Sequence, residues 1–201
     1  MRVLIACEKS GVVRRAFAER GHDAWSCDLQ ETEDGRWWSG KHIVTDVENM
    51  LDGTGVWDLV IAHPPCTAVA VSGNAHYANT KSRDDGIRFI MDLASRLSWR
   101  SKRWCIENPV GCLSTAWRKP DQYIQPWQFG HDAQKKTGLW LQDLPLLRPT
   151  DTLGLPERGY WANQTPSGQN KLGPSATRAA DRSRTYEGIA QAMATQWGAL
   201  T

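Results

Sequence analysis

The sequence is short of several things, and each shortage narrows the reading. Its five cysteines include no Cys-x-x-Cys pair, so a zinc knuckle is not expected. No apolar stretch is long enough to span a bilayer. The opening run Met1-Arg2-Val3-Leu4-Ile5-Ala6 is too short for a secretory signal. Together these point to a reduced, cytoplasmic protein without a membrane partner. There is no Gly-x-Gly-x-x-Gly fingerprint and no internal repeat. The net charge of +2 is too small to announce a nucleic-acid binder by itself.

What is present reads as one globular domain spanning residues 1–201. The chain is 40% hydrophobic and 23% charged, enough for a substantial core. Eleven tryptophans are many; packing accounts for most, and stacking on bases is the functional alternative. Charge is unevenly spread. Residues 1–100 carry 12 basic and 14 acidic side chains, residues 101–201 carry 12 and 8. Five cations (Arg158, Lys171, Arg178, Arg182 and Arg184) face one anion, Asp181, in a mild basic patch. Most of it falls in the loop-rich stretch 150–182, an insertion within the same domain.

Short strands alternate with helical runs, which predicts βαβ units and a mostly parallel sheet. Strands are expected at Arg2–Ala6, Ala24–Asp28, His42–Thr45, Trp57–Ala62 and Arg103–Ile106, with later ones at Tyr123–Phe129 and Leu139–Leu141. Ser10 is expected to cap the first helix and Gly21 to follow it. A second long helix should begin at Asp84 or Asp85, burying Ile87, Ile90, Met91, Ala94 and Leu97. Residues 66–83 read as a long loop, and Glu187–Trp197 as a closing helix.

Chemistry concentrates at strand ends. Leu59 to Ala62 are apolar enough to be covered on both faces. Pro64 and Pro65 then forbid further ladder bonds and stiffen the exit, and the residue carried on that exit is Cys66. A thiol outside the carboxyl end of such a strand is placed to attack a ligand; a small buried filler is the plainer alternative. A second motif, Cys105-Ile106-Glu107-Asn108-Pro109, puts Glu107 at another strand end, where it is either a partner for Cys66 or an ion-pair member. Thiolate addition to an electron-poor carbon with an acid protonating a ring nitrogen needs such a pair. The first turn, Cys7-Glu8-Lys9-Ser10-Gly11, and the strand-end acids Asp28 and Asp46 suggest an adenosine-containing cofactor, Asp28 at the ribose and Asp46 near the adenine. Each acid could instead cap a helix.

His63-Pro64-Pro65-Cys66 followed by Glu107-Asn108-Pro109 resembles the Pro-Cys and Glu-Asn motifs of DNA cytosine-5 methyltransferases. Leu4 to Phe17 resembles their first cofactor motif, and Gln134-Lys135-Lys136 their Gln-Arg-Arg motif. Arg182 to Trp197 resembles the final one. More narrowly, the chain resembles the short phage and prophage cytosine methyltransferase-like proteins. The resemblance implies a Rossmann-like methyltransferase domain, with a target-recognition domain that is reduced or absent. It implies S-adenosylmethionine held by Ala6, Cys7, Glu8, Ser10, Gly11, Asp28, Asp46, Pro64 and Arg184. It implies catalysis by Cys66, Glu107 and Lys136, and DNA contacted by Lys135, Arg158, Lys171, Arg178 and Arg182. Cys66 would attack C6 of a flipped cytosine, with residues 67–83 closing over it, and a protein partner could supply sequence specificity.

The departures are specific. Glu8-Lys9-Ser10 stand where the family has glycines, lysines where it has arginines, Thr67 where it has glutamine, and Ser183-Arg184 where it has Gly-Asn. Arg184 and Lys9 could hold the carboxylate of a carboxylated S-adenosylmethionine, making carboxymethyl transfer the alternative to methyl transfer. Two further readings are an amino-methyltransferase, whose Asn/Asp-Pro-Pro-aromatic motif His63 and Cys66 do not match, and a catalytically idle nucleic-acid-binding homologue.

Overall fold

The computed structural model describes residues 1–35, 40–173 and 184–200. Arg178 and Arg182 therefore lie outside the described residues. Seven strands form one mixed sheet: β1 (Arg2–Ala6), β2 (Asp23–Asp28), β3 (His42–Val44), β4 (Trp57–Ala62), β5 (Ser101–Pro109), β6 (Gln122–Ile124) and β7 (Thr137–Gln142). Their order is β3-β2-β1-β4-β5-β7-β6. The pairs among β1 to β5 are parallel, and β7 runs antiparallel to both β5 and β6. The expected α/β class and mostly parallel sheet are present.

Helices cover both faces. Val3, Ile5, Leu59 and Ile61 point to one side, where they meet Val13 and Phe17 of α1 (Val12–Ala18) and Ile189, Met193 and Trp197 in and after α6 (Glu187–Gln196). Leu4, Ala6, Val60 and Ala62 point to the other, against Met50 and Leu51 of α2 (Val47–Gly53) and Ile90, Leu93 and Leu97 of α4 (Lys81–Arg100). This period-two split between two covered faces explains why β1 and β4 read as unbroken apolar runs. Each buried Leu, Ile or Phe contributes roughly 1.5–3 kcal/mol. Exposed pairs such as Lys102–Asp58, 2.9 Å apart, contribute about 0–1 kcal/mol, so burial fixes the position of the strand ends.

Several boundaries differ from the sequence reading for local reasons. Helix α4 begins at Lys81, because the Thr80 side chain caps it by accepting from Arg83 N. Its buried stripe is Ile90, Leu93, Ala94 and Leu97, while Met91 is 40% exposed. The strand expected over Tyr123–Phe129 ends at Ile124. Pro126 then opens a 3-10 turn, Pro126–Gln128, whose Gln128 side chain accepts from Gln125 N at 2.7 Å. The first helix is capped by Gly11 and not by Ser10.

Residues 66–83 are not a free loop. The chain makes a 3-10 turn at Val71–Gly73 and a short helix α3 at Asn74–Tyr77. It docks on the exit of β5: Val71 N donates to Val110 O at 2.9 Å and Cys112 N to Val69 O at 2.9 Å. Gly111 permits this approach, since a Cβ there would stand 2.0 Å from Val69 O. Arg83 clamps the far end through Ala68 O at 2.9 Å and Asn74 Oδ1 at 2.7 Å. A segment pinned in this way does not fit the expected closing lid.

Candidate active site

The sheet order reverses between β1 and β4, and such a switch point opens a crevice outside the strands' carboxyl ends. His63 N donates to Ala6 O at 2.9 Å there, joining the two ends. Beyond His63 come buried Pro64, exposed Pro65 and half-buried Cys66. The neighbouring strand β5 is in register, Ala62 beside Ile106, so Glu107 stands beside His63. Asn108, fully buried, donates from Nδ2 to Pro64 O at 3.1 Å. That bond ties the Glu-Asn-Pro segment to the Pro-Pro-Cys segment and puts Cys66 and Glu107 at the ends of adjacent strands.

Glu107 is a largely buried carboxylate with chosen neighbours. His63 Nδ1 lies 3.2 Å from its Oε2, with the two side chains 9% and 12% exposed. Burial works to raise its pKa. The His63 hydrogen bond and the Lys135 charge, with the nearby Thr137 hydroxyl, outweigh burial and hold the carboxyl below its usual range. Thr137 counts least, because its one hydrogen is directed at Lys135 O, 3.1 Å away. The resting site therefore holds Glu107 ionised. The cation that reaches it is Lys135, and the exposed Lys136 has its ammonium 4.4 Å from the Tyr123 ring centre. Of the two lysines, Lys135 is the one whose charge acts on Glu107, while Lys136, expected to serve catalysis, lies over Tyr123.

The cysteines separate clearly. All five are free thiols. Burial, with the Cys27, Asp28 and Asp46 charges adding to it, pushes the Cys7 thiol well up. Burial pushes Cys27 up to about 12 and Cys105 well up. Thiols of this kind are inert at neutral pH. Cys7, Cys66 and Cys112 are half-buried, and of these Cys66 is the one carried on the exit of β4, the parallel neighbour of the strand that holds Glu107.

The other side of the crevice gathers the expected cofactor residues. Cys7 takes a left-handed φ of 57° and turns the chain off fully buried Ala6. Its thiol feels both Asp28 and Asp46, so the ends of β1, β2 and β3 converge. Asp28 is half-buried and accepts from Gln30 N at 3.0 Å. Asp46 caps α2 by accepting from Glu48 N at 2.8 Å, the plainer of its two roles. Glu8 is turned inward. Its Oε1 accepts from Val13 N at 2.7 Å and Ser10 Oγ at 3.1 Å, its Oε2 from Arg14 N at 3.3 Å. The protein's own carboxylate thus occupies the start of α1. Gly11, at φ 72°, is packed so closely that a Cβ would stand 2.8 Å from Asp34 Cβ.

The outer cations are already engaged. Arg184 pairs with Glu33 at 2.5 Å, and Lys9 pairs with the same carboxylate at 3.2 Å. Arg158 pairs with Asp132. Lys171 is exposed. The stretch carrying it is pinned beside Gln134: Lys171 N donates to Asn163 O at 2.9 Å, and Asn163 Nδ2 donates to Gln134 O at 2.9 Å. The backbone at Lys171 is thus held near the segment that carries Lys135 and Lys136. Of the nine described tryptophans, Trp99 at 82% is the strongly exposed one. It sits near the end of α4, which leads into the start of β5, at the opposite edge of the sheet from the crevice. The tryptophans chiefly pack.

Two residues of this site went unnoticed in the sequence, His63 and Asn108. Each sits inside a motif already singled out, Asn108 one position after Glu107 and His63 three before Cys66. Among the described residues no group of three or more His, Cys, Asp or Glu side chains could hold a metal ion, and no helix is long and apolar enough to cross a membrane. No family model matches the chain, and no curated protein matches it.

Proposed function

We propose that the chain transfers a methyl group from S-adenosylmethionine to C5 of cytosine in DNA, through a covalent adduct on Cys66. One observation carries this reading: half-buried Cys66, just past the end of β4, and largely buried Glu107, near the end of the parallel neighbour β5, lie on segments braced together by the Asn108–Pro64 bond. The sheet fits the Rossmann-like domain that the resemblance implies.

The cofactor side supports the same choice. Glu8 fills the helix start that a pyrophosphate would need, which disfavours a dinucleotide and suits a cofactor without phosphate. Asp28 and Asp46 supply the acceptors for ribose hydroxyls and an adenine amine. When bound, S-adenosylmethionine supplies an electrophilic methyl on its sulfonium. Cys66 adds to C6, which makes C5 nucleophilic; Glu107 meets N3 and the exocyclic amine; once C5 has taken the methyl, a base removes the C5 proton, the C6–S bond breaks and Cys66 is released. The target base must leave the duplex to reach Cys66, and the exposed Lys136 and Lys171 are suited to phosphates. Lys9 and Arg184, the cations a carboxylated donor would need, both engage Glu33, so methyl transfer is the reading we carry.

The test is trapping. An oligonucleotide with 5-fluorocytosine at its target positions, incubated with protein and cofactor, should form an adduct that survives denaturation and maps to Cys66. An adduct on another residue, or none, sinks the mechanism.

A further inference from the structure

We propose that His63 is the positioning residue that decides which oxygen of Glu107 carries the acid proton. This rests on the cytosine reading above. Three observations carry it. His63 Nδ1 lies 3.2 Å from Glu107 Oε2. The two side chains are 9% and 12% exposed, so water does not substitute for the contact. The other ring nitrogen, Nε2, is buried without a hydrogen-bond partner.

An ionised carboxylate only accepts hydrogen bonds, so Nδ1 must carry the hydrogen and donate it to Oε2. The imidazole is thereby fixed as the Nδ1–H tautomer, with Nε2 bare. A buried nitrogen without a partner is tolerated better as a lone pair than as an N–H of a cation, since burying unpaired charge is the larger penalty. With Oε2 committed as an acceptor, a proton added to Glu107 belongs on Oε1. The groups facing this carboxyl are few: His63 from the β4 exit, Lys135 and Thr137 from the approach to β7, and Cys105 on its own strand. Among these, His63 is the one bonded directly to Oε2.

The balance of the addition step shows why this matters. Cys66 gives its thiol proton to the ionised Glu107, on Oε1, and its sulfur bonds to C6. The C5–C6 π pair shifts to C4–C5 and the C4–N3 π pair moves onto N3. Oε1 passes its proton to N3 and returns to the carboxylate, so the thiol's proton is the one the ring gains. If Oε2 bore the proton instead, it would point back at His63 and away from the base. His63 thus works through Glu107 and does not itself touch the substrate.

The tests use the full chain. Nitrogen-15 NMR of the imidazole should show the Nδ1–H tautomer, lost in Glu107→Gln. Carbon-13 NMR of the Glu107 carboxyl should show its titration moving up by about one pH unit or more in His63→Ala, since burial remains when the donor is gone. Asparagine can place a side-chain N–H where Nδ1 stands, so His63→Asn should hold that titration near the wild type. In trapping by 5-fluorocytosine DNA, His63→Ala should slow adduct formation at least tenfold with a shifted pH midpoint. His63→Asn should recover most of the rate at the wild-type midpoint. A wild-type Nε2–H tautomer, or a carboxyl titration indifferent to both substitutions, would overturn the proposal. So would equal slowing in both variants with an unmoved midpoint, the mark of a merely structural residue. Failure of the cytosine reading shows separately, as a wild type that forms no adduct at any pH.

Discussion

Two half-buried cysteines follow adjacent central strands, and they differ in how far each stands from its strand. Cys7 follows β1 at once, turning in a left-handed conformation into a pocket where burial and three neighbours (Cys27, Asp28 and Asp46) all disfavour its thiolate. Cys66 follows β4 at a distance. Two prolines carry it past the last bond to β1, and it is half-buried. Position next to the switch point is shared by both thiols; the spacer is what separates them, His63-Pro64-Pro65 carrying Cys66 beyond the end of β4 while Cys7 follows β1 directly.

Breaking the comparison is straightforward. Cys66→Ser should abolish adduct formation and reduce transfer by at least about 1,000-fold, because the covalent route is lost. Cys7→Ser should leave transfer within about threefold. Product nucleosides read both, and comparable losses in the two variants would erase the distinction drawn between the strand ends.

The next effect belongs to Glu107. Glu107→Gln should slow transfer by about 100-fold, the low end for a lost general acid. It should also change acid stability. A carboxyl held below its ordinary range stabilises the fold above that range, and the contribution is lost as pH falls through the folded value. Wild-type melting temperature should thus drop more between pH 7 and acid conditions than that of the Gln variant. Parallel curves would show that the pair with His63 does not hold in solution.

On the Cys7 side the test is binding. Asp28→Ala should weaken S-adenosylhomocysteine by about 10- to 100-fold, from the ~1.5–3 kcal/mol typical of hydrogen bonds to a charged group. Calorimetry measures it, and a wild type without heat or protection at millimolar ligand would remove the cofactor from the account. The smallest effect concerns DNA. Lys171→Ala should lower the salt slope of binding by about one. Arg158→Ala should lower it less, because Arg158 is tied to Asp132. Binding indifferent to salt would exclude a polyanion.

Much of this was legible in the sequence. The strands at Arg2–Ala6 and Trp57–Ala62 announce themselves because both their faces are covered. Cys66, Glu107, Asp28 and Asp46 could be singled out because strand ends in a parallel sheet fall together. What escaped depends on contacts that no local pattern encodes. Glu8 reads as a cofactor-loop residue, yet it bonds helix α1, a role set by the turn at Cys7. Residues 66–83 read as a lid, but Gly111, far along the chain, lets them dock. Lys135 and Lys136 are equal in the sequence; the entry to β7 sends one toward Glu107 and the other over Tyr123. His63 looked like the odd residue of a proline motif until β5 placed a carboxylate beside it.

The central claim is that the Cys66–Glu107 end of the crevice modifies cytosine at carbon. Its most direct test is mass spectrometry of nucleosides from DNA incubated with the protein and S-adenosylmethionine. The account predicts 5-methylcytosine that accumulates with the wild type and is absent with Cys66→Ser. N4-methylcytosine, N6-methyladenine, or DNA left unmodified by the wild type would contradict it.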